Sequence, residues 1–491
     1  MGKNDPEGCG WEFAQRKNKE AEGREKKIPR HWRSSKAAGK LAKFASELRL
    51  HDLSESVVNH TLTVIRDTLG VMLAGSALPE VRGLAEMGKV LSAPGHASLL
   101  GRRGTCSPHF AALVNGTGAV SLELDEGSQY AVNHPSVHIF PAALALAEEM
   151  GKSGPELIEA FVAGYEVAVR VGKATHLRDC VHPFGTHAII GTAVTAARLM
   201  GLDDEQMAQA LDLAAGICIA SSQTAANAGA TVRNLVTGLT NHNGLLAPML
   251  IRAGHTGEPG ALNAVFGRIL GDSFAEDAIG DDLGEEFYIT KNYFKLHACS
   301  RWNHGPIEAM SSLMKRSFFE PEEVEKITVW TYDPATRLSW SDPVNGYAAK
   351  HSIPFNVAAR VVVKRNDLDV YSDEVVSDPQ IRDMARRIEV REDPSLTAML
   401  PYVRPTRVEV ALRSGKVLEE RVDRPQGGFD HPYPEDELFR KFRLLALTVV
   451  PGDVFEELQR RIGALPELEN VRVLSPLLQG RHLHPTKSLT F

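Results

Sequence analysis

From Leu41 to about Leu270 apolar residues recur at intervals of three and four, and many intervening positions hold alanine or glycine. That period commits a segment to a helix with one buried stripe. It predicts helices over Leu41–Leu48, Ser56–Ala74, His109–Leu122, Phe140–Met150, Pro155–Val171, Thr192–Met200, Asp204–Ala215 and Gly244–Ala253. Ser153-Gly154-Pro155-Glu156 opens one of them with proline near the first turn and an early acid, and Gly201 and Gly254 stand where C-terminal caps belong. Small residues, dense in Ala188–Ala197 and Ala208–Ala220, let helices approach closely and imply a compact bundle.

The pattern changes near Asn292. Ile327–Tyr332, Arg386–Val390 and Val408–Leu412 read as strands, and Ser414-Gly415 joins the last of these to Val417–Val422 as a hairpin. Helices at Gly305–Lys315 and Asp378–Arg386 alternate with them, and helical character returns from Glu435 toward Leu468. The expected fold is mainly α. A basic, disordered extension over 1–40 precedes a large all-helical domain over 41–284. A smaller α+β domain over 285–425 is inserted before C-terminal helices, 426–491, that pack back on the first domain.

Composition narrows the function. Charged residues make up 24% and the formal net charge is −7, so the body is a poor general binder of polyanions, and nucleic acid is not expected as a partner. Residues 1–40 hold eleven Lys/Arg against six Asp/Glu, but acids interleave with the bases, as in a solvated tail. No stretch approaches the roughly 20 apolar residues of a membrane span. The start of the chain has no apolar signal-peptide core, and the five cysteines are scattered without a CxxC. The expectation is a cytoplasmic, reducing location with no membrane partner and no disulfide framework. A GxGxxG after a strand, a P-loop and a GxSxG are all missing, which leaves nucleotide binding and serine hydrolysis without support.

The chemistry concentrates in Leu122–His138, where Glu123, Asp125, Glu126, His134 and His138 fall within seventeen residues. Gly127, Asn133 and Pro135 predict a loop there, followed by the helix at Phe140–Met150. Taken alone, the stretch fits a solvated acidic turn better than a site. His134 and His138 have the four-residue spacing of a helical metal pair, but Pro135 and the loop argue against a metal site. Four further clusters add cations and imidazoles: His182–His187, Gly229–Asn234 with Arg233, Lys295–Pro306 with Arg301 and His304, and Lys350-His351-Ser352. Each residue has a plainer role too. Arg233 could cap a helix, Lys295 could sit on the surface, His182 could be a satisfied loop histidine, and Cys299 reads as a buried small residue. Together they suit a small polycarboxylate: arginine clamps a carboxylate, histidine moves a proton, and cations stabilise the anion left when a proton alpha to a carboxylate is removed.

The ordered segments resemble the MmgE/PrpD family. Val64–Gly70 with Leu73-Ala74-Gly75, Glu123–Glu126 with His134-Pro135-Ser136, and Gly164-Tyr165-Glu166 with Arg170-Val171-Gly172 are similar to its motifs. So are His182-Pro183 with Gly191, Lys295 to His304-Gly305-Pro306, Lys350-His351-Ser352, and Pro434 to Lys441-Phe442. The resemblance implies a helical domain plus a smaller α+β domain, a homodimer, and no metal or organic cofactor. It places Asp125, His134, His182 and Lys295 at active-site positions. Glu123, Arg233, Arg301 and His304 are the further candidates for binding substrate, with Lys295 and Arg233 expected to hold carboxylates and Asp125 to orient a histidine. It implies a lyase of the 2-methylcitrate dehydratase type, with one of His134 and His182 as base and the other as acid. An isomerase or decarboxylase on the same site, or a non-catalytic carboxylate-binding protein, are the alternatives. The chain departs from the family pattern at Glu123, where Asp is common, at Gly127, and at Arg233, where many members have Lys. Those departures imply a substrate of its own.

Overall fold

The computed structural model describes residues 34–280 and 282–480. Eight principal helices form the first part: α1 (Lys36–Glu47), α2 (Glu55–Gly75), α3 (Pro108–Ser121), α4 (Pro135–Met150), α5 (Gly154–Ala174), α6 (Ala188–Leu199), α7 (Asp204–Gly216) and α8 (Val232–Ala253). Their ends follow local chemistry. Ser153 and Glu156 form a capping box on α5, Asp203 and Gln206 another on α7, and Gly151 and Gly254 take left-handed conformations that close α4 and α8. The predicted extension over 1–40 lies mostly outside the described residues, but its last part is helical, because Ser35 caps α1 by accepting from the Ala38 amide.

Four predicted starts, at Leu41, Phe140, Thr192 and Gly244, are four or more residues too late, and two of them bear on the site. α8 begins at Val232, twelve residues ahead of Gly244, because its polar first half also packs inside the bundle. α4 begins at Pro135, with the proline at the first helical position, where its missing N–H costs nothing. Pro135 therefore starts the helix, and His134 is its N-cap residue.

The small residues act where helices touch. α5 crosses α6 at Gly164 and Gly191, and a Cβ on either would overlap the other's carbonyl oxygen. A second proline, Pro141, interrupts α4 and leaves the Val137 carbonyl without its usual donor. Asn241 of α8 repairs this. Its Nδ2 donates to the Val137 carbonyl at 2.9 Å and its Oδ1 accepts from the Ala142 amide at 3.0 Å. Thr192 of α6 donates to the neighbouring His138 carbonyl at 2.6 Å. Two helices thus fix the first turns of α4, next to His134.

Beyond the bundle lies a four-stranded sheet built from β1 (Val324–Thr331), β2 (Ile388–Glu392), β3 (Thr406–Leu412) and β4 (Val417–Val422), in spatial order β4-β3-β1-β2. β1 and β2 are parallel and the other pairs antiparallel. Alternating buried residues such as Val408 and Val410 face α9 (His304–Arg316), which packs on α10 (Ile353–Val362), itself against α11 (Pro379–Arg386). α12 (Glu435–Ala446) and α13 (Gly452–Gly463) lie against α2. Among the described residues no single helix is long and apolar enough to cross a membrane. The fold is mainly α, as the sequence implies.

Candidate active site

The acidic loop runs from the end of α3 to the start of α4 and hangs from two buried lysines. Lys350 donates to the carbonyls of Ser121 and Leu122 at 3.3 and 3.0 Å, occupying buried C-terminal acceptors of α3. Lys441 of α12 pairs with Asp67 of α2 and donates to the Leu124 carbonyl, both at 2.5 Å. Further along, Gly127 and Tyr293 exchange backbone hydrogen bonds at 3.0 and 2.8 Å. A Cβ on Gly127 would collide with the Tyr293 ring and hydroxyl, so glycine there admits Tyr293 to the site. Held this way, Glu123 takes a left-handed backbone (φ 57°), a conformation that costs a non-glycine residue energy and clusters at functional sites.

Four charges interlock behind this loop. Arg233 of α8 pairs with Glu123 Oε1. Lys295, fully buried, lies 3.1 Å from Asp125 Oδ1 and 3.6 Å from Glu123 Oε2. Burial alone would raise both carboxyls. The charges of Arg233 and Lys295 outweigh it at Glu123, holding it at about 2, and those of Lys295 and His134 hold Asp125 far below the usual range. Two cations and two carboxylates thus cancel.

Imidazoles gather around the Phe184 ring. His134, His138 and His182 pack edge-on to it with centroids at 5.1, 4.7 and 4.8 Å, and the Arg233 guanidinium stacks on it at 3.9 Å. His134 Nδ1 lies 2.6 Å from Asp125 Oδ2. Two lone pairs at that distance would repel, so Nδ1 carries the proton and Nε2, 3.4 Å from the Tyr293 hydroxyl, keeps its lone pair. His182 has the opposite tautomer: its Nδ1 accepts from the Phe184 amide at 3.1 Å, so the proton is on Nε2. Burial and the Arg233 charge push His182 well below the ordinary imidazole value. Burial also lowers His134, against the opposing pull of Asp125.

These groups open on a cavity of about 290 Å³. Glu123, His134, His182, Arg233 and His351 form one part of its wall, with Tyr293, Arg301 and Arg404 beside them. Arg301 donates to the Pro425 and Gln426 carbonyls at 2.7 Å, and Arg404 weakly to the Gln129 carbonyl at 3.4 Å. Among the described residues neither is paired with a carboxylate. Both guanidinium groups flank Tyr293, 5.0 and 5.6 Å from its ring centroid. No group of three or more His, Cys, Asp or Glu among the described residues is arranged to hold a metal ion.

Family models of the MmgE/PrpD N-terminal domain and C-terminal domain match residues 39–271 and 297–463. The chain belongs to the MmgE/PrpD family. Its relatives include a cis-aconitate decarboxylase of Aspergillus terreus, 25% identical over 91% of this chain and 96% of that protein. A cis-aconitate decarboxylase of Mus musculus is 24% identical over 88% and 91%. The 2-methylcitrate dehydratase of Escherichia coli (strain K12) is 23% identical over 54% and 58%. These relatives are enzymes.

In this MmgE/PrpD protein the eight candidate residues divide. Glu123, His134, His182, Arg233 and Arg301 line the cavity. Asp125 and Lys295 do not: they form the layer behind Glu123 and His134, where Lys295 is consumed by ion pairs. His304 also lies behind the wall, with Nδ1 3.4 Å from Arg301. Cys299 is buried, and its thiol is pushed up to about 12 by burial, unfit for a nucleophile at neutral pH. Tyr293, two residues ahead of the Lys295 cluster, and Arg404 also line the cavity, and no local motif marks either in the sequence. His351, its Nε2 3.8 Å from Glu123, lay within a cluster the sequence did flag.

Proposed function

We propose that the protein is a lyase that removes a proton alpha to a carboxylate of a small hydroxy polycarboxylate and expels water. The observation that carries this is the Asp125–His134 pair, whose Nε2 lone pair opens on a cavity where Arg301 and Arg404 have no carboxylate partner. The unpaired guanidiniums would take the substrate carboxylates in place of Lys295 and Arg233, whose charges are already balanced. His134 Nε2 takes the alpha proton, and Asp125 stabilises the resulting imidazolium. The carbon electron pair forms the double bond as the C–O bond breaks. His182 Nε2–H hydrogen-bonds the departing hydroxide, which leaves as water with a proton returned by the imidazolium. His134 thus serves as both base and acid, and His182 as a neutral donor, since protonating its Nδ1 would cost the Phe184 amide bond.

Decarboxylation is the second reading, favoured by the similarity to cis-aconitate decarboxylases along almost the whole chain. There a C–C bond would break, carbon dioxide would leave, and an imidazolium would protonate the carbanion. Incubation with citrate, 2-methylcitrate and cis-aconitate separates the two. Growth of conjugated double-bond absorbance from a hydroxy acid supports dehydration, and carbon dioxide release from the unsaturated acid supports decarboxylation. Binding of these acids without turnover would remove both.

A further inference from the structure

The cavity has two chemically different parts. The charged part is marked by the Glu123–Arg233 ion pair, with the imidazole of His351 3.8 Å from Glu123 and that of His134 against Asp125. The mouth is marked by Asp179, three residues before His182, which pairs with Arg337 of the smaller unit at 2.6 Å, and by Asn227, which donates to the Arg337 carbonyl at 3.0 Å. The chain neighbours of these mouth residues contribute apolar wall: Leu177, Val181, Ala226 and Leu338 all line the cavity. His176, Arg178 and Gln223 interleave with them in the same wall, and a substrate made only of carboxylates and a hydroxyl would leave the four apolar side chains without a partner.

Val132 adds an independent sign. It lines the same cavity, is 50% exposed, and has a positive φ of 50°. A β-branched residue almost never adopts that conformation. It is imposed by a tight turn, in which Ser128 and Asn133 exchange backbone hydrogen bonds at 2.8 and 3.4 Å while the Asn133 side chain donates to the Pro183 carbonyl at 3.1 Å. An asparagine or glycine would relieve the strain, so a strained, exposed valine at a cavity wall points to a function for its methyl groups.

We propose that the natural substrate carries an aliphatic chain of several carbons on its polycarboxylate head. The head lies at Arg301, Arg404 and His134, and the chain lies along Val132, Leu177, Val181 and Leu338. This rests on the lyase reading above and specifies its substrate. The experiment measures Kd by titration calorimetry, and kcat/KM, for citrates bearing methyl, ethyl, propyl and butyl groups at carbon 2. Each added methylene is expected to tighten binding about two- to fourfold, as burial of apolar surface requires. Val132→Asn, which tolerates the left-handed backbone, and Leu177→Gln, at a half-exposed position, are expected to flatten that gain. If the methyl compound binds and longer chains bind equally or worse, the aliphatic substrate is wrong and the lyase reading stands. If affinity rises with chain length but both variants keep the full gain, the assigned wall is wrong. If no member of the series binds, the lyase reading falls and the inference falls with it.

Discussion

Asp125 and Glu126 are neighbours in the chain, equally buried and opposite in protonation. Asp125 faces Lys295 and His134, and their charges keep it ionised against the penalty of burial. Glu126 turns the other way, onto the start of α4, where its Oε1 accepts from the Ser136 amide at 3.0 Å. Burial, reinforced by the negative charges of Asp67 and Asp125, raises its carboxyl to about 8, so it is mostly protonated at neutral pH. One loop therefore presents an anion to the imidazole that faces the cavity and a neutral acid to the helix that carries it. Depth alone does not set the charge of a buried acid; the groups across from it do.

Substitutions break or sharpen this contrast in a definite order. Asp125→Asn should lower kcat about a thousandfold or more, because an amide neither fixes the His134 tautomer nor stabilises its imidazolium; circular dichroism should show the fold retained. Were that variant active and Glu126→Gln dead, the two roles would be reversed. Lys295→Met strips the cation from two buried carboxylates and should cost about 3–5 kcal/mol in urea unfolding at pH 7. The deficit should shrink toward pH 4, where an unpaired Asp125 protonates. Asn241→Ala leaves the Val137 carbonyl and Ala142 amide unsatisfied at the Pro141 break. It should cost about 1–3 kcal/mol, and an unchanged urea midpoint would count against the repair.

The smallest effect, and the only stabilising one, is expected of Glu126→Gln. The Glu126 pKa is raised in the folded state, so the unfolded chain ionises first as pH rises. The stability tied to its proton is complete below the model carboxylate value of 4.5 and is lost as pH climbs through about 8. Glutamine cannot ionise, so the variant should melt several degrees above the parent at pH 8 and nearly with it at pH 5. Equal gains at both pH values would mean that Glu126 is already charged.

Much of this was legible in the sequence, and the gaps have physical causes. Period and caps located the helices because both are local signals. In the sequence Pro135 looks like a breaker, yet its fixed φ suits a first helical position, and α4 starts there. α10 went unrecognised behind Lys350-His351-Ser352, yet Ser352 is its N-cap and Pro354 lies in its first turn. Glu123, His134, His182, Arg233 and Arg301 were found by residue type and do line the cavity. What the sequence could not convey is which cations are already spent. Lys295 looked like a substrate ligand and Arg404 like nothing, because pairing between residues 170 positions apart, as for Lys295 and Asp125, is a property of the folded chain.

The hold of Lys441 on the Leu124 carbonyl also bears on when the protein becomes competent during its synthesis. The loop that carries the acids emerges from the ribosome more than 300 residues before its last anchor, since the two groups are 317 positions apart. Until α12 has been made and has docked on α2, that carbonyl is unmoored and Asp67 is a buried acid without its cation. A nascent chain can therefore assemble most of its bundle while the acidic loop still lacks this anchor, so the loop takes its final form only after α12 has been made.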